Sequence, residues 1–96
     1  MKLRFHPAAE EELSVAISYL NERMPGLGVG LLDDIERTTA FLCEVPNIGK
    51  PIDSVHRLMP LQRFTYNLAY RVGDGEIVVV AIAHKRRHPG YWLTRK

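Results

Sequence analysis

The sequence predicts an α+β fold, a two-layer sandwich with the element order β-α-α-β-β-β. Its first half contains two amphipathic segments with helical spacing, joined by a glycine-rich link. Its second half contains extended segments, one of which alternates apolar and polar side chains along its whole length. An N-terminal helical hairpin should therefore pack on one face of a mostly antiparallel sheet. A length of 96 residues fits a single domain that spans residues 1–96.

The N-terminal half is predicted to begin with a short strand, Lys2–Phe5, followed by a helix that starts at Pro7. Proline suits the first turn of a helix, where no backbone N–H is needed. Glu10-Glu11-Glu12 should form a solvated helix start near the positive end of the helix dipole. Pro25-Gly26 ends this helix, and a second one is predicted over Val29–Glu44.

The C-terminal half is predicted to contain a loop and three strands. The loop covers Pro46–Asp53, and the first strand is Val55–Met59. The second strand, Arg63–Val72, has one apolar face and one more polar face, which should be partly open to solvent. The more polar face carries Arg63, Thr65, Asn67, Ala69 and Arg71. After a hairpin turn at residues 73–75, Ile77–Ala83 is apolar on both sides, which favours a central position in the sheet.

The net charge of +2 is unevenly distributed along the chain. Residues 1–44 contain four basic and eight acidic residues, whereas residues 45–96 contain nine basic and three acidic residues. This asymmetry indicates either an anionic partner for the C-terminal half or a solvated basic end. The single cysteine, Cys43, favours a reducing compartment, and no secretory signal or membrane-spanning run is recognisable. We therefore expect a cytoplasmic protein that does not contact a membrane.

The basic and aromatic residues of the C-terminal half predict a target-binding surface. This surface comprises Arg63, Asn67, Arg71, Lys85, Arg86, Arg87, Tyr91 and Trp92. Arginines beside aromatic side chains suit contact with phosphates together with base stacking, and they are equally favoured as anchors of protein interfaces. The alternative is a charged terminus in which Tyr91 and Trp92 fold onto the core, because tryptophan is usually largely buried.

No pattern of a cofactor or metal site is present. The sequence lacks a nucleophile elbow, a phosphate loop and paired carboxylates. His84 and His88 lie four residues apart, but Pro89 and the preceding strand disfavour a helix across them, so no metal site is predicted. An enzyme built from this chain would stabilise a phosphodiester transition state with cations and transfer protons from basic or aromatic groups. Its candidate catalytic residues would be Lys85, Arg86, His84 and Tyr91.

Three segments resemble the RelE/ParE toxin superfamily. They are His6-Pro7-Ala8-Ala9-Glu10 after the first strand, Tyr66–Val72, and the ending Ala81–Trp92. The resemblance implies the fold predicted above and a role as the toxin of a type II toxin–antitoxin module. It also implies a cognate antitoxin whose C-terminal segment wraps the toxin, with operator DNA reached only through that antitoxin.

Members of the superfamily either cleave mRNA on the ribosome, as RelE-like toxins do, or inhibit DNA gyrase, as ParE-like toxins do. Resemblance to the nucleases places Arg86 at their phosphate-stabilising arginine and Tyr91 or Trp92 near their C-terminal tyrosine. However, those nucleases have two lysines on the second strand and an arginine on the third, where this chain has residues 57–60 (Arg-Leu-Met-Pro) and Asn67. The ParE-like branch is therefore favoured. A ribosome-dependent mRNA endonuclease and a degenerate, non-toxic binding module are the alternatives.

Overall fold

A computed structural model describes residues 1–88 and 90–96, and over these residues the chain forms two helices and five strands. The elements are β1 (Lys2–Phe5), α1 (Pro7–Arg23), α2 (Leu27–Glu44), β2 (Lys50–Pro51), β3 (His56–Pro60), β4 (Tyr66–Gly73) and β5 (Glu76–His84). The sheet order is β1-β5-β4-β3-β2, in which β1 runs parallel to β5 and the other neighbours are antiparallel. The predicted α+β class is thus confirmed.

The two helices pack closely as a hairpin. His6 caps α1, since its Nδ1 accepts a hydrogen bond from the Ala8 N–H at 3.0 Å, and Pro7 occupies the first turn. The hairpin turn uses Gly26 in the left-handed conformation, with φ 96°. Gly28 lies so close to α1 that a Cβ atom there would be 2.7 Å from the Ile17 side chain. This close approach lets α2 start at Leu27, two residues earlier than predicted.

The main core lies between the helical hairpin and the sheet. Its fully buried members include Leu31, Ile35 and Leu42 of α2, Leu68 and Tyr70 of β4, and Ile77, Val79 and Ile82 of β5. These positions follow the helical and strand periodicities predicted from the sequence. The apolar face of β4 therefore faces the helices.

A bulge in β5 places apolar residues on both faces of the sheet. Ala69 pairs with Ala81, but Tyr70 pairs with Val79, so Val80 is the extra residue of β5. On either side of the bulge, Val79 and Ile82 face the helices, while Val80 and Ala81 belong to a second cluster on the other face. β5 lies between β1 and β4, which confirms its predicted central position.

Two predicted boundaries were wrong. The predicted loop of residues 46–53 contains β2, whose Lys50 and Pro51 pair with β3. The predicted long strand from Arg63 begins only at Tyr66, because residues 62–65 form a bend. The Arg63 backbone N–H does not pair with a neighbouring strand and instead donates to the buried carboxylate of Asp34 at 2.9 Å.

Neither helix of the described residues is both long and apolar enough to cross a membrane.

Candidate functional site

The C-terminal segment, residues 90–96, folds back over the sheet face that lies opposite the helices. Gly90 makes the turn with φ 91°, and the Leu93 N–H donates to the Gly90 carbonyl at 3.0 Å. Trp92 packs into the second cluster and is only 2% exposed. The alternative of a ring folded onto the core thus describes the position of Trp92, while its part in target binding stays a prediction.

A small pocket opens beside Trp92, with a volume of about 100 Å³. Leu58, Ala83 and Trp92 give it an apolar lining. Its polar lining includes Asn67, His84, Lys85 and Arg87. The structure thus brings together five of the residues predicted for target binding or catalysis: Asn67, His84, Lys85, Arg87 and Trp92.

The basic turn Lys85–Arg87 leaves the end of β5 at the rim of this pocket. The Lys85 N–H donates to the Thr65 carbonyl at 2.9 Å, and the Arg87 N–H donates to the His84 carbonyl at 2.9 Å. The backbone of the turn is fixed by these bonds, while its three side chains are exposed. Within the described part of the chain, the side chains of Lys85 and Arg86 make neither a hydrogen bond nor an ion pair. They are free to meet a partner.

His84 is held by both of its ring nitrogens. Nδ1 accepts a hydrogen bond from the Arg86 N–H at 3.1 Å, and Nε2 lies 3.1 Å from the Thr65 hydroxyl. Its ring meets Tyr66 edge-on, with the ring centroids 5.2 Å apart. These contacts suit a residue that shapes the turn. Among residues 1–88 and 90–96, no three His, Cys, Asp or Glu side chains lie close enough together to form a metal-binding group. Pro89, which was used to argue against a helix across His84 and His88, lies outside the described residues.

Two of the predicted arginines lie outside the basic turn itself. Arg63 lies in the bend of residues 62–65, whose Thr65 carbonyl accepts the Lys85 N–H. Arg71 pairs with Val78 in the far half of the strands, where its guanidinium donates to the carbonyls of Arg95 at 3.3 Å and Lys96 at 2.9 Å. Arg71 therefore anchors the C-terminal segment, and a part of either arginine in target binding stays a prediction.

Tyr91 is half-buried and bound within the protein. Its hydroxyl donates to Glu12 Oε2 at 2.7 Å, and the guanidinium of Arg87 lies 3.8 Å from the centre of its ring. Burial, together with the neighbouring Glu12 carboxylate, raises the pKa of Tyr91 to about 12. A hydroxyl with such a pKa gives up its proton reluctantly near neutral pH.

Glu12 was predicted to be a solvated residue of the helix start, and this prediction was wrong. The Glu12 side chain is 15% exposed and contacts Tyr91 and Arg95. One signal in the sequence could have located it: Glu12 lies three residues after Ala9 and four before Ala16, so it shares the buried stripe of α1.

Comparison with known proteins agrees with the fold and with the predicted family. Residues 3–89 match the family described as ParE toxin of type II toxin-antitoxin system, parDE. Toxin ParE2 from two strains of Mycobacterium tuberculosis is 29% identical over 89 residues, which cover 92% of this chain and 85% of the relative.

A solved structure of the chromosomal ParDE toxin–antitoxin system from P. aeruginosa contains a chain with the same fold. The two align with a TM-score of 0.77 and 22% identity, over 88% of this chain and 95% of the other. The family match spans most of the chain and is consistent with its fold and with the resemblance of its segments. The chain therefore belongs to the ParE toxin family and is the toxin of a type II toxin–antitoxin system, with an antitoxin as its partner.

Proposed function

We propose that this toxin inhibits DNA gyrase in the cytoplasm and uses the basic turn Lys85–Arg87 and the adjoining pocket to bind its target. The observation that carries the proposal is the exposure of three consecutive basic side chains on a turn whose backbone is fixed by hydrogen bonds. A fixed backbone reduces the entropy lost on binding. The adjoining pocket adds an apolar contact next to the charges.

The chemistry of the site supports a binding function over RNA cleavage. β3 offers residues 57–60 (Arg-Leu-Met-Pro) where the RelE-like nucleases have two lysines, and β4 offers Asn67 where they have an arginine. Both ring nitrogens of His84 are engaged, and the Tyr91 hydroxyl is bound to a carboxylate. Two of the four candidate catalytic residues, His84 and Tyr91, are therefore held by contacts within the protein, which disfavours their use in proton transfer.

The antitoxin is expected to neutralise the toxin by covering the basic half of the chain. An acidic segment of the antitoxin would be attracted to the exposed Lys85, Arg86 and Arg87, and complementary charges speed the encounter of two proteins. Operator DNA is then reached through the antitoxin. Binding of a purified antitoxin should weaken as the salt concentration rises, since exposed charges are screened.

Purified toxin should be added to gyrase and relaxed plasmid, and supercoiling and cleavage complexes should be measured. We expect loss of supercoiling, accumulation of cleavage complexes, and reversal by the antitoxin. Unchanged gyrase activity at saturating toxin would refute the proposal. Primer extension on translated mRNA should show intact transcripts during growth arrest, and cuts within ribosome-occupied codons would instead assign the RelE-like activity.

Substitutions can locate the binding surface. Arg86→Ala should weaken inhibition of gyrase without changing the melting temperature, because the Arg86 side chain is exposed and makes no contact within the described residues. Lys2→Ala is the control, since it removes an exposed charge from β1 beside Glu76, at the opposite end of β5 from the basic turn. Equal losses for the two variants would show that general positive charge, and not the basic turn, determines binding.

A further inference from the structure

The sheet has an incomplete edge beside β5. β1 ends at Phe5, and the His6 N–H makes the last strand-like bond to the Val79 carbonyl at 2.8 Å. β5 continues for five residues beyond Val79, where β1 no longer lies beside it. Side chains replace the missing strand there: Arg95 donates to the Val80 carbonyl at 2.9 Å, and the Ile82 N–H donates to Glu12 Oε1 at 3.0 Å.

Glu12 lies at the centre of this edge, because it receives hydrogen bonds from three residues, one in β5 and two in the C-terminal segment. Besides the Ile82 N–H, its carboxylate accepts two bonds from the Arg95 guanidinium, at 2.9 and 3.0 Å, and one from the Tyr91 hydroxyl at 2.7 Å. Arg87 of the basic turn lies 3.9 Å away. One side chain of α1 thus joins the central strand, the C-terminal segment and the basic turn.

We infer that Glu12 is a positioning residue for target binding, because it holds residues 91–95 against the edge of β5. This contact fixes Arg87 of the basic turn and Trp92 in the lining of the pocket. The inference rests on the proposed role of the basic turn. Glu12 reaches Arg87 both directly and through Tyr91, whose ring lies under the Arg87 guanidinium. It reaches the pocket through the same segment, which carries Trp92.

The ionised form of Glu12 is the one that the structure stabilises. Burial raises the pKa of this carboxyl, but the bonds from Arg95, Tyr91 and Ile82 together outweigh burial and lower the pKa below its usual 4.5. Neutralising Glu12 would leave the Arg95 guanidinium without its counter-charge, and a partly buried ion pair is costly to break on one side. The C-terminal segment should then loosen before the rest of the fold does.

Trp92 is the one tryptophan of the chain, and it reports on the segment directly. In Glu12→Gln we expect stronger acrylamide quenching and a red-shifted emission of Trp92, with an unchanged far-UV circular dichroism spectrum. Glu11→Gln is the matched control, because the exposed Glu11 undergoes the same chemical change on the same helix and should keep the wild-type emission. Unchanged quenching in Glu12→Gln would overturn the inference.

The quenching of Trp92 as a function of pH shows whether the negative charge of Glu12, and not only the presence of its side chain, holds the C-terminal segment. Because the folded pKa of Glu12 lies below 4.5, the hold on the segment is complete above about that pH and is lost as the pH falls through the lowered pKa. Wild-type quenching should therefore rise at acid pH while the circular dichroism is still native. Glu12→Gln should lack this step, and a step retained in Glu12→Gln would refute the assignment to Glu12.

Function is measured in two assays: growth inhibition in cells that express the toxin without its antitoxin, and inhibition of gyrase by the purified toxin. Glu12→Gln should need a roughly tenfold higher concentration to inhibit, as expected when an interface residue that it positions, Arg87, loses its contact with the target. Normal potency together with stronger Trp92 quenching would refute the positioning role. A wild-type protein that stops growth without affecting gyrase would refute the proposed function, and Glu12→Gln would then be judged on growth alone. A wild-type protein that does neither would refute both.

If Glu12→Gln fails to fold, Tyr91→Phe provides the same test in a milder form. It removes one hydrogen bond to Glu12 and keeps the ring under Arg87. Smaller changes in quenching and potency, in the same direction, would support the inference. Their complete absence would overturn it.

Discussion

Replacing Trp92 by alanine distinguishes a core residue from an exposed ligand-binding residue. The ring is 2% exposed and packs on Ala69, Val80, Ala81 and Ala83 of the sheet. His56 contacts it from β3, with 5.4 Å between the ring centroids. Among the described residues the Trp92 indole makes no hydrogen bond, so packing and burial supply its contribution to the free energy of unfolding.

The expected loss is a large fraction of the total free energy of unfolding of a protein of this size. Truncation of a buried aromatic side chain to alanine costs about 3–5 kcal/mol, because apolar burial is lost and a cavity remains. Small native domains unfold with a free energy of about 5–15 kcal/mol. Trp92→Ala should therefore shift the urea midpoint strongly downward and leave the protein folded only marginally.

Urea unfolding should be followed by far-UV circular dichroism, because the variant lacks the fluorophore. Leu93→Ala is the neighbouring control: Leu93 is 38% exposed, and its truncation should cost less than about 1 kcal/mol. A loss below about 1 kcal/mol for Trp92→Ala, together with lost toxicity, would refute the core assignment and restore the reading of Trp92 as a contact residue.

Three further predictions concern the loops and the C-terminal segment. Tyr70→Phe should cost about 1–3 kcal/mol in urea unfolding, because the Tyr70 hydroxyl accepts a hydrogen bond from the buried Gly49 N–H at 2.9 Å and its loss would leave that N–H unsatisfied. Gly90→Ala should lower stability by about 1–2 kcal/mol in thermal unfolding, since its φ of 91° is strained for any other residue. Tyr91 should ionise near pH 12 in an ultraviolet titration, and this step should vanish in Tyr91→Phe. Because the pKa of Tyr91 is raised by burial and by Glu12, the stability it adds is complete below pH 10 and is lost as the pH rises through about 12.

The elements that the sequence predicts well are those whose side chains repeat over several turns or several strand residues. Both helices and β4 show such repeats, so the local sequence alone predicts that these elements exist and which of their faces is buried. β2 has two residues, one of them Pro51, and exists only because β3 pairs with it. β4 starts at Tyr66 and not at Arg63, and this late start likewise depends on Asp34, which is 29 positions away from Arg63 in the chain.

The candidate site was only partly predictable for the same physical reason. The basic turn is local, so its exposure followed from its composition. Trp92 could have gone to solvent or to the sheet, and the second apolar cluster, which needs the bulge at Val80, decides between them. Glu12 meets Arg95 at a separation of 83 residues, which no local pattern reveals.

The structure also changes the meaning of the charge asymmetry between the two halves of the chain. Part of it is neutralised internally, because Glu12 of the acidic half binds Arg95 of the basic half at 2.9 Å. Lys85 and Arg86 have no such partners within the described residues, although they belong to the same basic half. Lys85 and Arg86 are neighbours on a turn whose backbone is fixed by hydrogen bonds, with Arg87 beside them. We therefore expect an acidic antitoxin and the target to compete for the basic turn and not for the C-terminal half as a whole.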